Sequence, residues 1–397
     1  MSALRSALSS RSGPPALALP VLLAAFGLAA ALLGGFVVIA PNRLLSGTPL
    51  GLWAAAGPAG TAAVLAPLTA MAGLGLARDF ALRHMLLGLA AGALMLASTG
   101  IAGHAAMVHG ADAGPLTRVS LGAGFWCLLA AGFFTLADAV ERARTLAQKA
   151  VPVLATAAGL FALAAGGALS ELSLAREFSV RQHAYLNELF RHLELTGAGL
   201  VVAVAVGAAI GFMAYRRPRR AGAAFAALDI VQTIPSIALF ALLIGPLTTL
   251  TALAPALRGL GIGGIGPFPA IVALALYGLL PVARGVHAGL SGVPRAAVDA
   301  ARGMGMTGRQ IFTSTMVPLA LPTFFQTLRI TLVQLIGLAT LAALIGAGGL
   351  GTFIFQGLGQ TASDLVLLGA LSAIGLALLA DLSLRGVALA LFRRPAT

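Results

Sequence analysis

Between two long apolar runs, at 267–286 and 318–344, residues 287–317 read HAGLSGVPRAAVDAARGMGMTGRQIFTSTMV. Pro294 suits the first turn of a helix, where its fixed φ is already helical and its missing N–H has no partner to lose. Gly303 and Gly305 interrupt that helix. Thr307 with Gln310 has the Thr-x-x-Gln form of a capping box and opens a second short helix. The stretch therefore predicts a helix–turn–helix that ends at Pro318, where the next apolar run begins. A basic helix–turn–helix suggests DNA, but a short loop tethered between two membrane crossings is held away from any duplex. No nucleic-acid partner is expected.

The apolar runs on either side set the class of protein. In 397 residues, Asp, Glu, Lys and Arg make up 9% and hydrophobic residues 59%, whereas a soluble globular domain carries roughly 25% charged residues. A soluble enzyme and a disordered chain are both excluded. A disulfide scaffold is excluded as well, since Cys127 is the single cysteine. Ten runs are candidates to cross a bilayer, which takes about 20 apolar residues: 16–40, 53–76, 85–108, 120–140, 151–170, 195–214, 222–246, 267–286, 318–344 and 365–390. The first follows Arg5 and Arg11 like a signal peptide, but its apolar stretch is too long for a removable one, and a retained first helix is expected.

Basic residues orient the chain. With the N-terminus inside, cytoplasmic segments hold 18 Lys and Arg, among them Arg216, Arg217, Arg219, Arg220, Arg295, Arg302 and Arg309, and the opposite side holds 6. That asymmetry places both termini in the cytoplasm, and it accounts for the net charge of +13 without recourse to nucleic acid. The fold expected is an all-α polytopic membrane protein of about ten transmembrane helices. Three regions follow: five N-terminal helices in 1–175, a periplasmic interfacial amphipathic linker in 176–194, and a membrane domain in 195–391. In the first region, small-residue spacings such as Gly88/Gly92 allow helix backbones to approach closely. In the linker, Leu186, Leu189, Phe190 and Leu193 form one apolar stripe, with charge on the other face.

Several chemistries are absent. Lys149, the only lysine, follows Gln148 and not Gly, so there is no phosphate-binding P-loop and any ATPase must be a partner. No His-Glu-x-x-His pattern occurs among the six histidines, no metal site is expected, and no span interior carries a His to serve as a base. Gly346, Gly348, Gly349 and Gly351 fit G-x-G-x-x-G, yet that fingerprint binds a dinucleotide only between a strand and a helix. Here an apolar helix precedes it, and the glycines are read as a helix-breaking turn on the outer face. In the seventh span, Pro235 cannot donate to the carbonyl of Val231, so a kink is expected. Gln232, Thr233 and Ser236 beside it either satisfy the freed backbone or line a pathway. Asp229 and Arg329 are ionisable groups in or near spans and are candidates to pair; Asp381 and Arg385, four apart, form a local ion pair.

Asp299-Ala300-Ala301, then Gly305 after three intervening residues, then Thr315 after nine more and Val317-Pro318 closing the pattern, resemble the EAA loop of binding-protein-dependent ABC importer permeases. Asp299, Thr315 and Val317 replace that pattern's Glu, Ile and Leu at unchanged spacing. Flanking segments at 232–239 (QTIPSIAL), 275–281 (ALYGLLP) and 345–351 (IGAGGLG) are similar to the osmoprotectant permeases, those for glycine betaine, choline or carnitine. The resemblance covers about 195–390, and the five extra helices look like the long form of that group. Gly285 and Thr352 depart from the family pattern, which has Asn and an acidic residue at those places.

This resemblance implies a type I ABC importer permease fold. It implies that Asp299, Ala300, Ala301, Gly305, Met306, Thr307 and Pro318 couple to an ABC ATPase subunit, which would bind ATP-Mg, with no cofactor on this chain. Small Ala300 and Ala301 would seat the loop in a groove of that subunit. Gln232, Thr233, Pro235, Ser236 and Arg329 would form a pathway or hinge, and the glycine turn would face the periplasm. A second permease, from the same chain or a sister subunit, and a periplasmic substrate-binding protein would complete the importer in the inner membrane. Few aromatic residues lie in the pathway segments, so substrate choice is expected in that binding protein, for which the chain beyond the last run offers no room. Two alternatives stand beside this reading: an ABC permease for another small solute such as an amino acid, and a secondary transporter.

Overall fold

The computed structural model describes residues 19–42, 45–112, 116–259 and 261–392. Arg5, Arg11, Arg43, Arg393 and Arg394 of the charge count lie outside them. The chain divides into two compact units between Val180 and Arg181.

The first unit begins with helix α1 (Leu19–Leu33), after which the chain turns into strand β1 (Gly35–Ala40). The run 16–40, expected to be one helix, therefore ends early. Gly34-Gly35 breaks the helix, and Phe36-Val37-Val38-Ile39 is a β-branched and aromatic sequence that favours a strand. β1 is the middle of a sheet ordered β2-β1-β3, with β2 (Thr48–Gly51) and β3 (Arg118–Leu121) both antiparallel to it. Val37, opposite Leu50 and Leu121, is fully buried. This sheet is the one departure from an otherwise helical fold among the described residues.

Four long helices follow: α2 (Leu52–Leu76), α3 (Arg83–Asp112), α4 (Ala123–Arg142) and α5 (Leu146–Ala165), then the short α6 (Ser173–Val180). α3 packs against α2, α4 and α5. The small residues read from sequence lie at these seams. A Cβ at Gly88 would meet Pro152 of α5, and one at Gly92 would lie 2.1 Å from Thr156 Oγ1. α5 starts at a capping box in which Thr145 Oγ1 accepts from Gln148 N–H, while the Gln148 amide also donates to the Ala81 carbonyl at 2.7 Å.

The second unit begins with α7 (Gln182–Arg216), a single 35-residue helix. The segment 176–194, expected as a separate interfacial linker, is thus divided between α6 and the first turns of α7. After α8 (Pro218–Thr233), α9 (Ser236–Leu253) and the short α10 (Ala256–Gly259) comes α11 (Pro267–Ser291), the most buried of the candidate spans. The 287–317 region holds α12 (Arg295–Gly303) and α13 (Gly308–Ile311). α13 passes through a π-helical turn (Phe312–Met316) into α14 (Val317–Ala339) and a 3₁₀ turn (Thr340–Ile345). α15 (Gly351–Gly359) and α16 (Ser363–Phe392) complete the described chain.

Among the described residues nine helical segments are long and apolar enough to cross a membrane. Nine of the ten expected crossings find their counterpart in them. The run 16–40 does not, since α1 has 15 residues. The seventh crossing, expected at 222–246, moves to α9 because the chain leaves helix at Ile234-Pro235.

α11 lies between α7 and α14, and small residues set the spacing. A Cβ at Gly211 of α7 would lie 2.4 Å from the Ala283 carbonyl oxygen, and one at Gly199 would lie 2.8 Å from Leu274 Cβ. On the opposite seam a Cβ at Gly285 would approach Thr327 Oγ1 to 2.5 Å. The departure at Gly285 thus has a steric reason: any side chain there would push α14 away. Gly211→Val is expected to lower stability by about 1–3 kcal/mol through this overpacking, read as a lower Tm of the detergent-purified protein. Gly222→Ala, on α8 with nothing within 4 Å of an added Cβ, is expected to leave Tm unchanged or slightly raised.

Candidate functional site

The 287–317 loop is a preformed element. Pro294 is the N-cap of α12, whose helical residues begin at Arg295. At the other end Gly305 adopts φ +79°, and the N–H groups of Met306 and Gly305 donate to the carbonyls of Ala301 and Arg302. This paired closure with a left-handed glycine is a Schellman motif. Thr307 and Gln310 then form the expected capping box: Thr307 Oγ1 accepts from Gln310 N–H at 3.4 Å, and Gln310 Oε1 accepts from Thr307 N–H at 2.8 Å. These bonds take up several of the backbone groups freed between the two helices.

The second helix does not stop at Pro318, as the sequence suggested. It continues through the π-helical turn into α14, and Pro318 occupies the first turn of α14. Pro318 brings no N–H and crowds the preceding turn, and widening 312–316 by one residue accommodates it without a break. The loop thus joins the membrane helix as a continuous rod.

Its two faces differ. Ala301 and Ile311 are buried with Leu290, Met316 and Ala320, and Val298, Met306 and Phe312 pack against them. Ala301, expected to seat in a partner's groove, is instead buried in a core that the loop shares with α7, α11 and α14. Asp299, Ala300, Gly303 and Met304 face outward, and Met304 keeps 75% of its surface exposed. Asp299 pairs with Arg302 one turn on, at 3.0 Å.

At Pro235 the chain leaves helix for two residues. The Val231 carbonyl, expected to be freed, accepts from Ile234 N–H at 3.3 Å. The Ile234 carbonyl is the one exposed by the break, and the hydroxyl of Tyr277 on α11 donates to it at 2.5 Å. Gln232 answers by donating its amide to the Tyr277 carbonyl at 2.8 Å. Gln232 is therefore accounted for by backbone satisfaction. Thr233 bonds within its own helix to Ile230, and Ser236 stands half-buried at the start of α9.

The suggested Asp229–Arg329 pair is not formed. Asp229 on α8 is bonded by Arg284 of α11 at 2.8 Å. Arg329 on α14 lies 2.5 Å from Asp381 of α16, which also holds Arg385 at 2.8 Å. The partner choice depends on which helices are adjacent: α8 packs on α11, and α14 on α16.

The glycine turn holds the residues that sequence reading missed. Gly346, Gly348 and Gly349 all have positive φ, and a Cβ at Gly351 would lie 1.7 Å from the Thr340 carbonyl oxygen. Glu188 and His192, one turn apart on α7, grip this turn from the side. Glu188 Oε2 accepts from Gly349 N–H at 2.5 Å and from the Thr352 hydroxyl at 3.3 Å. His192 Nδ1 accepts from Leu350 N–H at 3.3 Å, and its Nε2 lies 3.0 Å from the Ile336 carbonyl. These contacts fit the neutral imidazole protonated at Nε2. His192 lies three residues before the expected span 195–214, on the same helix α7, and is fully buried there. At Thr352, where the family pattern has an acid, Glu188 brings a carboxylate from another helix. The i, i+4 spacing of Glu188 and His192 was the only available signal. It reads as a solvated face because their partners lie at least 144 residues away.

Glu188→Ala removes the acceptor of a half-buried N–H, a loss of about 1–3 kcal/mol. Hydrogen exchange across 346–352 is expected to speed up roughly tenfold or more, while 295–311 is unchanged. Equal exchange in variant and parent would remove Glu188 from this role.

Comparison with known proteins follows the two units. Residues 16–175 match the N-terminal domain of the ABC transporter permease YehY. Residues 199–393 match the binding-protein-dependent transport system inner membrane component family. The carnitine transport permease protein OpuCB of Listeria monocytogenes is 34% identical over 207 residues, which are 52% of this chain and 88% of that protein. The osmoprotectant import permease protein OsmW of Salmonella typhimurium is 37% identical over 198 residues, 50% of this chain and 87% of that one. The glycine betaine/carnitine/choline permease protein OpuCB of Bacillus subtilis is 35% identical over 190 residues, 48% and 80% of the respective chains. An inward-facing structure of the MetNI methionine ABC transporter aligns with TM-score 0.46 at 24% identity, over 53% of this chain and 96% of that one. The chain belongs to the binding-protein-dependent transport system inner membrane components, multi-pass permeases of the membrane and not enzymes.

Proposed function

We propose that this chain is the transmembrane permease of an ATP-driven importer that moves a small osmoprotectant, such as glycine betaine, choline or carnitine, into the cytoplasm. The observation that carries the coupling role is the 294–318 element. It is capped at both ends, packed on a core it shares with α7, α11 and α14, and continuous with α14 through the π-helical turn. Such an element transmits a push from outside to a membrane helix without first unfolding.

In this reading 195–391 is the permease domain. An ABC ATPase, carrying ATP-Mg, docks on the outward face that bears Asp299, Ala300 and Met304. Gly305 provides the turn that presents this face, while Ala301, Met306 and Thr307 hold it rigid from behind. Pro318 marks where the lever enters α14. The Ile234-Pro235 break, held by Tyr277, serves as a hinge. The glycine turn, held by Glu188 and His192, closes the opposite end toward a periplasmic binding protein that selects the solute. A second permease subunit completes the pathway, and the five helices of 1–175 are an accessory membrane region. The osmoprotectant class is supported by relatives that are named as permeases for carnitine, choline and glycine betaine. An amino acid as cargo is the neighbouring possibility for this family and is separated by the same assay.

Met304→Asp, at an exposed position, is expected to leave insertion and Tm unchanged while uptake of labelled glycine betaine falls at least about tenfold in proteoliposomes containing ATPase and binding protein. A change of that size corresponds to the loss of one apolar anchor at a protein interface. Gly305→Val, strained at positive φ, is expected to reduce uptake as well. Solute accumulation by the permease without any ATPase would refute the reading.

A further inference from the structure

Two adjoining cavities beside the 287–317 loop have opposite character. The first, of about 270 Å³, is walled by Phe212, Leu290, Phe312, Val317, Leu321 and Phe324 and offers almost no polar surface. The second, of about 480 Å³, shares Leu290 with it and is lined by Tyr215, His287, Arg295 and Arg302, with Asp299 as its one carboxylate. Arg216 stands beside the apolar cavity, its guanidinium 5.4 Å from the Phe212 ring that walls it. Arg217, Arg219 and Arg220 follow directly, all exposed, and no ion pair among the described residues neutralises them. Asp299 is already held by Arg302, so the polar cavity presents net positive charge.

We infer that this is a binding site for one anionic phospholipid, with an acyl chain in the aromatic groove and its phosphate headgroup among Arg216, Arg217, Arg219 and Arg220. An apolar slot opening beside a basic rim fits an amphiphile of that polarity, and an arginine cluster at the cytoplasmic end of a membrane helix draws anionic headgroups. A second copy of this chain is a poor occupant, because it also carries a net charge of +13. A soluble protein surface fits the rim but has nothing to fill the groove. The groove wall includes Phe312 of the π-helical turn and Val317 at the start of α14. A bound chain therefore braces the joint between the loop and the membrane helix. That consequence rests on the proposed coupling role, whereas the binding itself does not.

Native mass spectrometry of the full-length protein, released from membranes containing equal mole fractions of phosphatidylglycerol and phosphatidylcholine, tests the site without ATP or transport. The parent is expected to retain phosphatidylglycerol about tenfold over phosphatidylcholine. Arg216→Ala/Arg219→Ala/Arg220→Ala is expected to bring the ratio close to one, and the corresponding Lys variant to restore most of it, since charge is what the headgroup reads. Ala208→Phe, which fills the groove from its wall, is expected to reduce retention of phosphatidylglycerol while the arginines remain. Monodisperse elution and unchanged helicity confirm that each variant is folded. A parent ratio near one overturns the proposal, as does a preference that survives both variants. So does loss of a co-purified ATPase from the arginine variant with the lipid ratio unmoved, which would make the cluster a protein contact. Failure of the uptake assay with the lipid preference intact would instead count against the transport reading alone.

Discussion

A single hydroxyl, Tyr277 Oη donating to the Ile234 carbonyl, illustrates the constraint on which this architecture depends. In apolar surroundings no water is at hand for a backbone group that leaves its helix, so each departure from regular helix must bring its own partner. Three departures in the second unit are satisfied in three different ways. At Ile234-Pro235, α11 supplies a phenol and accepts an amide in return. At Gly346–Gly351, α7 supplies a carboxylate and an imidazole. At Pro318, the helix rewinds by one residue and needs no outside partner.

The same constraint explains why the loop at 287–317 is stiff. Its Schellman closure, capping box and apolar core hold it in place from within the chain. A partner docking there, as proposed, would meet a surface already ordered, with little association energy spent on ordering it. Close backbone approach at Gly199, Gly211 and Gly285 ties α11 to both neighbours. With no hydrophobic drive between helices inside lipid, contact at this distance is what holds the bundle. In the proposed coupling role, a push at the loop would reach α14 and its seam with α11 through this continuous helix.

The ion pairs show how sequence reading goes astray in a membrane chain. Asp229 and Arg329 stood out as costly charges, and pairing them was the economical solution. Adjacency of helices decided otherwise: Arg284 lay nearer to Asp229, and Asp381 to Arg329. Ala301 was read as a contact for a partner because it is small, but smallness serves equally well for inward packing, and burial alone distinguishes the two.

Composition, apolar run length and the arginine asymmetry determined by themselves that this is a polytopic helical membrane protein. They also located the loop, its caps and the helix-breaking glycines, because these features depend on local geometry, solvation and residues a few places apart. Tertiary structure alone decided which buried groups meet. Glu188 and His192 with the glycine turn, Tyr277 with the Pro235 break, the strand at 35–40, and the apolar slot beside Arg216 all join residues from separate elements. Apolar periodicity carries little information about them, since in a bilayer both the lipid-facing and the packed sides of a helix are apolar. Only the packing of neighbours shows which side faces which.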